Sequence, residues 1–309
     1  MNAGAVVRCT AEVAAALGGA APVVALESSV LAQGLPRPAN REAAERMMTA
    51  VRAEGAVPAV TAVVRGVAAA GLEPDELERF LARDGVRKVS ARDVPLAMAQ
   101  GADGATTVAA AVMLAHRAGI DVMATGGIGG VHRAPAYDES ADLVEIARTP
   151  VLVVCAGAKA ILDLAATAER LETLGVPVIG FGTDEMPAFW SRTSGIRLGA
   201  RADTAAEVAA AWRMHRALGR RQGMVVMRPL DAAHALSAAA VARAVQGARR
   251  AASAKRVTGA ALTPWLLAAV DQATKGRARA ANLALLEANA ALAAAIARAL
   301  RRMDGRRDG

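Results

Sequence analysis

Short apolar, β-branched runs alternate with alanine-rich amphipathic segments along the chain as far as Pro229. PVVAL (22–26), PAVTAVV (58–64), VRKVS (86–90), DVMATGG (121–127), VLVVCAG (151–157), VPVIGFG (176–182) and GMVVM (223–227) each predict a strand. Between them, ANREAAERMMTAVRAEG (39–55) predicts a helix ending at a glycine, and PDELERFLARDG (74–85) one that opens on proline and acids. GATTVAAAVMLAHRAG (104–119) predicts a single helix with two threonines near its start, and ILDLAATAERLETLG (161–175) another. Beyond Pro229 the pattern turns to nearly continuous helix, from DAAHALSAAAVARAVQGARRAASA through TGAALTPWLLAAVDQATKG to NLALLEANAALAAAIARALRRM. Such alternation predicts an α/β sheet covered on both faces, mixed in strand order because several connections are short, with a helical C-terminal portion. No internal repeat or long Pro/Gly/Ser linker divides it. One domain is expected over residues 1–303, with a disordered basic tail at 304–309.

Composition adds how that core is packed. The chain has 309 residues, 54% of them hydrophobic but only 2% aromatic, so the interior must be filled by Ala, Val, Leu and Met. No uninterrupted apolar run approaches the roughly 20 residues of a membrane span, and the N-terminal stretch lacks the arrangement of a signal peptide. Cys9 and Cys155 are far apart, and Cys155 lies within an apolar run, which points to a buried thiol and a cytoplasmic protein. The net charge of +8 is concentrated near Arg249 and at the C-terminus. A basic tail of this kind can touch nucleic acid, but it has no interleaved aromatics to stack on bases. A positive field also recruits small anions.

Candidate chemistry begins with the lysines. Of 37 Lys+Arg, only Lys88, Lys159, Lys255 and Lys275 are lysine. Arginine cannot act as an amine nucleophile, so a lysine held at the end of the buried VLVVCAG strand, Lys159, is a candidate for attack on a carbonyl. The plain alternative is a stem lying along the core edge with its head in water. Lys88 also ends a strand and suits a phosphate or a sugar hydroxyl; Lys255 and Lys275 are expected to be solvated. Glu27 follows PVVAL directly, where open α/β sheets bind ligands. It is either a general acid–base or a loop carboxylate. ATGGIGGVHR (124–133) is a glycine-dense turn able to aim amides at an anion, and His132 stands at its end. Asp138 and Asp142 bracket Ser140 in DESAD, a spacing that suits a hard divalent ion or, equally, an N-cap with acids in the first turn. Thr106 and Thr107 offer hydroxyls and amides at a helix start, another anion site. Together these groups describe a site for a phosphorylated sugar with a latent carbonyl that Lys159 could capture as a Schiff base.

The stretches ALESSVLAQGLPRPAN, GAVPAVTAVV, KVSARDVP, GATTVAA, TGGIGGVHR, DESADL, VVCAGAKAILDL, ETLGVPVIGF, MPAFWSRTSG and LTPWLL occur in one order. In that order they resemble the pseudouridine-5′-phosphate glycosidase (indigoidine-synthase-A-like) family over about residues 20 to 300. The resemblance implies a three-layer α/β/α fold with a mixed sheet, a homotrimer, and a manganese ion in each subunit, with other divalent ions as alternatives. The activity it implies is pseudouridylate synthase, a lyase with glycosidase activity. This is reversible cleavage of the carbon–carbon glycosidic bond of pseudouridine 5′-phosphate to uracil and ribose 5-phosphate. Carried onto this chain, Lys159 is the nucleophile, Glu27 the proton donor and Asp138 the metal ligand. Lys88, Val108, His132, Ser140, Ala141 and Asp142 contact substrate, and Asn282 contacts the base.

Two segments depart from the family pattern. RAPAY (133–137) is short, which bears on the metal loop, and GRARAA before Asn282 has alanines where polar partners are expected. Two further readings stand beside the leading one: a Schiff-base lyase on another C-nucleotide or sugar phosphate, as in pigment-pathway relatives, and an RNA-binding protein. Only the charge supports the latter.

Overall fold

The computed structural model describes residues 6–19, 21–133, 137–259 and 262–304. The 134–136 part of the shortened loop and residues 305–309 of the basic tail lie outside the described residues. In chain order the elements are β1 (Arg8–Cys9), α1 (Ala11–Gly18), β2 (Val23–Glu27), a π-helical turn (Val30–Gly34), α2 (Ala39–Ala53), β3 (Val57–Val64) and β4 (Val67–Ala70). These are followed by α3 (Pro74–Ala82), β5 (Arg87–Val89), a 3₁₀ turn (Ala91–Asp93), α4 (Val94–Ala99), β6 (Gly104–Thr106), α5 (Val108–Ala118) and β7 (Val122–Ala124). Then come α6 (Ala141–Arg148), β8 (Leu152–Cys155), α7 (Leu164–Thr173), β9 (Val178–Phe181), β10 (Arg201–Ala202), α8 (Ala205–Ala217) and β11 (Met224–Met227). Three helices complete the chain: α9 (Ala238–Ala254), α10 (Leu262–Ala273) and α11 (Arg277–Asp304).

Among the described residues eleven strands form one sheet, with the order β1-β4-β3-β2-β7-β8-β11-β9-β10. β5 and β6 branch from β3. Pairing is parallel except where β3 meets β4 and β6, so the sheet is mixed, as expected. The branch point is Thr61: it is in register with Glu27 of β2 on one side and Ala70 of β4 on the other. β3 is long enough to serve β2 with its first half and β4 and β6 with its second. α5 and α6 cover one face, α11 with α2 and α8 the other, giving three layers. The core is built from Ala, Val and Leu at zero or near-zero exposure, with few aromatics, so helices approach the sheet closely.

Three expectations need correction. Residues 104–119 are not one helix: Gly104–Thr106 pairs with β3 and β5 as β6, and the helix starts at Val108. Strand partners outweigh the weak helical bias of a short segment. Lys159 does not end the β8 strand, which stops at Cys155. Gly157 (φ +86°) turns the chain there, and Pro187 O stands 2.2 Å from where a Cβ would be. Lys159 then sits on the turn that follows. Finally, α11 is long and apolar enough to cross a membrane by length and composition, which a search for uninterrupted runs overlooks. Most of its apolar window is buried against β7, β8, β2 and α2, the placement of a core helix. β1, α1, β4 and β10 carry too little pattern to be anticipated.

Candidate active site

Glu27 ends β2, a strand buried along its whole length. The residue is 6% exposed and its carboxylate is held by two hydroxyls: Ser29 Oγ donates to Oε2 at 2.6 Å and Thr125 Oγ1 donates to Oε1. Beneath it, Ser28, Thr61 and Thr106 form a fully buried hydroxyl cluster that ties β2 to β3 and β6. Ser28 Oγ donates to Thr61 O at 2.7 Å, and Thr106 N donates to Ser28 Oγ at 2.9 Å. Asn289 of α11 donates to the carbonyls of Thr125 (2.8 Å) and Gly126 (3.3 Å), so the C-terminal helix steadies the residue that holds Glu27.

Lys159 is half-buried and reaches the same place from β8. Its amide donates to Ile128 O at 3.1 Å, which locks its turn to the glycine-rich segment after β7. Among the described residues its ammonium has neither a hydrogen bond nor an ion pair, so it is free to meet a ligand. Lys88, on β5 opposite Ala105, faces the same space. Solvent reaches Lys88 through the open chamber, yet protein atoms crowd its ammonium on most sides. That desolvation lowers its pKa from the ordinary lysine value; the Lys159 charge adds to the lowering, and Glu27 and Asp142 oppose it. Lys255 and Lys275 are exposed, as expected. Cys155 is a free, fully buried thiol whose pKa burial pushes up to about 12, so it is inert.

Two cavities meet at these residues. A polar chamber of about 500 Å³ is lined by Lys88, Thr107, Val108, His132, Asp138 and the Ser140–Asp142 run, among others. A smaller one of about 60 Å³ is lined by Gln33, Gly126, Gly127, Phe189, Leu267 and Asn282. Glu27, Ser29, Lys88, Lys159 and Thr263 line both. The N-termini of α5 and α6 both face the polar chamber, and aligned amides at helix starts attract anions. Thr107 Oγ1, on the same wall, is buried without a hydrogen-bond partner among the described residues.

Asp142 is engaged by two backbone amides. Its Oδ1 accepts from Ala109 N at 2.9 Å, in the first turn of α5, and its Oδ2 from Gly129 N at 2.8 Å. The carboxylate therefore joins the first turn of α5 to the glycine-dense turn. Ser140 is the N-cap of α6, accepting from Asp142 N at 3.2 Å. Within the glycine-dense turn the amides of Ile128, Gly129 and Val131 go to protein acceptors. Its glycines allow close packing; a Cβ on Gly129 would lie 2.2 Å from Ser140 Oγ. His132 stands beside Asp138, with Nδ1 3.9 Å from Oδ2 and its amide donating to Asp138 O at 2.8 Å.

Among the described residues no group of three His, Cys, Asp or Glu side chains can cage a metal. Among the described residues of the polar chamber wall, Asp138 offers a partly exposed carboxylate with only His132 beside it. That donor set fits a hydrated ion held by one carboxylate and its waters.

The structure brings Glu27, Lys88, Val108, His132, Asp138, Ser140, Ala141, Asp142 and Lys159 to one chamber and Asn282 to its neighbour. Reading the sequence missed Ser29, Thr125, Phe189 and Asn289. Asn289 had a signal: it lies seven residues after Asn282 on the same face of an apolar helix, where a buried amide demands a partner.

Comparison with known proteins agrees with this architecture. The chain is 60% identical over 293 residues to pseudouridine-5′-phosphate glycosidase of Gemmatimonas aurantiaca, covering 95% of this chain and 96% of the relative. It is 51% identical to the protein of that name from Herpetosiphon aurantiacus, over 94% of this chain and 96% of the relative. Among solved structures, the prealnumycin C-glycosynthase in complex with ribulose 5-phosphate superposes with a TM-score of 0.89 at 38% identity, covering 97% of this chain and 98% of that one. An indigoidine synthase A-like protein from Thermotoga maritima superposes with a TM-score of 0.86 at 37% identity, over 92% and 94% of the two chains. The family described as indigoidine synthase A like protein matches residues 12–299, and this chain belongs to it.

Proposed function

We propose that the protein reversibly cleaves the carbon–carbon glycosidic bond of pseudouridine 5′-phosphate, giving uracil and ribose 5-phosphate, through a Schiff base on Lys159. The observation that carries this is the place of Lys159. It stands where a chamber with two helix N-termini meets a smaller one walled by Phe189, Leu267 and Asn282, beside a buried carboxylate. The first chamber suits a sugar phosphate, the second a flat base. The names of the relatives at 60% and 51% identity support the reading.

The chemistry follows from the leaving group. Uracil departs through carbon, so acid–base groups alone leave no electron sink. The ring bond from C1′ to its oxygen breaks, and the unprotonated Lys159 amine bonds to C1′. Glu27, which two hydroxyls hold as an acceptor, takes the proton released by the amine and relays it to the opening ring oxygen. The nitrogen lone pair then forms the C1′ iminium as the bond to C5 of uracil breaks and C5 takes a proton. Water hydrolyses the iminium, releasing ribose 5-phosphate and the free amine. The phosphate rests against Val108, Ser140, Ala141 and the Lys88 ammonium; Asn282 meets the uracil edge.

Asp138, with His132 beside it, would hold a hydrated manganese or similar ion, which when bound supplies positive charge and oriented waters at the chamber wall. The proposal includes a homotrimeric assembly and a cytoplasmic setting; light scattering on the purified protein checks the first and cell fractionation the second. The test of the activity is uracil release from pseudouridine 5′-phosphate, run with a chelator and then with added manganese. Release that falls and recovers is expected; no release under any condition sinks the reading. A second reading, action on another C-nucleotide, is favoured by one observation: a relative at 38% identity is a C-glycosynthase holding ribulose 5-phosphate. Release of a different aglycone in preference to uracil would select it.

A further inference from the structure

A third cavity, of about 270 Å³, adjoins the base chamber and shares Gln33, Gly34, Pro264, Leu267 and Asn282 with it. Beyond that shared wall it is lined by Arg83 and Trp190, which no part of the reaction uses. Among the described residues, four buried polar atoms without a hydrogen-bond partner belong to residues of this lining: Arg83 Nε and Nη2, Trp190 Nε1 and Gln33 Oε1. Trp190 is only 2% exposed. Burying donors without acceptors is costly, and most costly for a charged donor, so native folds pair them unless a ligand does so.

Arg83 is the centre of the imbalance. It forms no ion pair among the described residues. Burial, then the like charge of Arg37, lowers its pKa, the mark of a cation without a counter-ion. The acid in the lining, Asp271, is already engaged: Oδ1 accepts from Arg279 N at 2.9 Å, and Oδ2 lies 3.9 Å from Arg279 Nε. Arg83 also caps the C-terminus of α3 in a left-handed conformation (φ +66°), a position where glycine is the usual residue. A guanidinium offers two parallel donors that match a carboxylate.

We propose that this cavity is a subsite for a carboxylate at the end of a substituent on a ring nitrogen of the base. Substrates would then include pseudouridine 5′-phosphates whose base carries a short acidic side chain. The inference rests on the activity proposed above. C5 of the base is bonded to the sugar, so the ring nitrogens are the positions from which a chain can lead away past Asn282. Uracil itself carries no anion for Arg83.

The test runs the reaction in the direction of synthesis. Ribose 5-phosphate is offered uracil, uracil-1-acetic acid, uracil-3-acetic acid, or 1-propyluracil as a neutral match in size. At least one acetate should be coupled about tenfold or more faster than the propyl compound. That preference should vanish in Arg83→Gln and largely survive in Arg83→Lys, which keeps the charge. Thermal unfolding confirms that each variant is folded. Coupling of uracil alone, equal use of acetate and propyl compounds, or a preference that survives Arg83→Gln would each overturn the subsite. If uracil is not coupled either, the parent activity fails and the subsite falls with it.

Discussion

In the polar chamber many of the donors are backbone amides and short hydroxyls gathered at the starts of α5 and α6. The base chamber is walled instead by side chains from distant parts of the chain: Gln33 in a π-helical turn, Phe189 in a loop, Leu267 on α10 and Asn282 on α11. The first construction recognises charge, which helix ends supply whatever the side chains are. The second recognises shape, which depends on each wall residue. The polar chamber should therefore tolerate change in everything except its anchors, while the base chamber decides which aglycone is accepted. Lys159 and Glu27 line both, so their loss does not discriminate between substrates.

The strongest way to break this picture is at the junction. Lys159→Ala should lower uracil release by more than about a thousandfold. Borohydride added with ribose 5-phosphate should fix the sugar to Lys159 in the parent protein, as seen by peptide mass. A Lys159→Arg variant with full activity would remove the amine chemistry altogether. Glu27→Gln comes next, with a loss of about 10²–10⁴-fold in kcat for every base tested.

Asp142→Ala tests whether the polar chamber hangs on one anchor. It leaves the amides of Ala109 and Gly129 without their acceptor, so stability should drop by about 2–5 kcal/mol and KM for the phosphorylated substrate should rise. Thermal unfolding and kinetics read the two effects; unchanged stability would mean that the junction between α5 and the glycine-rich turn is not held there. A milder probe, Asn289→Leu, frees the Thr125 and Gly126 carbonyls and should cost about tenfold in kcat by loosening Glu27, with KM little changed.

The smallest effect concerns pH. Lys88 binds an anion only while protonated, and burial lowers its pKa. Affinity is therefore full below that lowered pKa and falls as pH rises through it, earlier than for a solvated lysine. In Lys88→Arg the charge persists, so KM should stay flat over the alkaline range where the parent weakens. Parallel profiles for the two proteins would remove Lys88 from phosphate recognition.

Much of the frame could be read from the chain. The β-branched runs from PVVAL to GMVVM became strands because continuous apolar runs suit a sheet buried on both faces, and the C-terminal alanine-rich stretch became α9, α10 and α11. The short strands β1, β4, β6 and β10 escaped notice because Arg, Ala and Gly predominate in them and none reads as a β-branched run; partners across the sheet create them. At the site, Lys159, Glu27 and Lys88 stood out as residue types placed near strand ends. Their supports did not, because a threonine in ATGG or a serine beside Glu27 looks like an ordinary turn residue until its acceptor is known.

Alternating apolar and amphipathic segments, scarce lysines and an acid at a strand end were enough by themselves to determine a layered α/β protein with candidate reactive groups beyond the carboxyl ends of its strands, since periodicity and residue chemistry are local properties. Tertiary structure alone decided that Asp142 serves two amides, that Thr125 and Asn289 steady Glu27, and that Arg83, half-buried on a cavity wall, has no counter-ion among the described residues. Each of those depends on which atoms meet across stretches of chain that local pattern does not connect, and hydrogen bonding acts only over the last few ångströms.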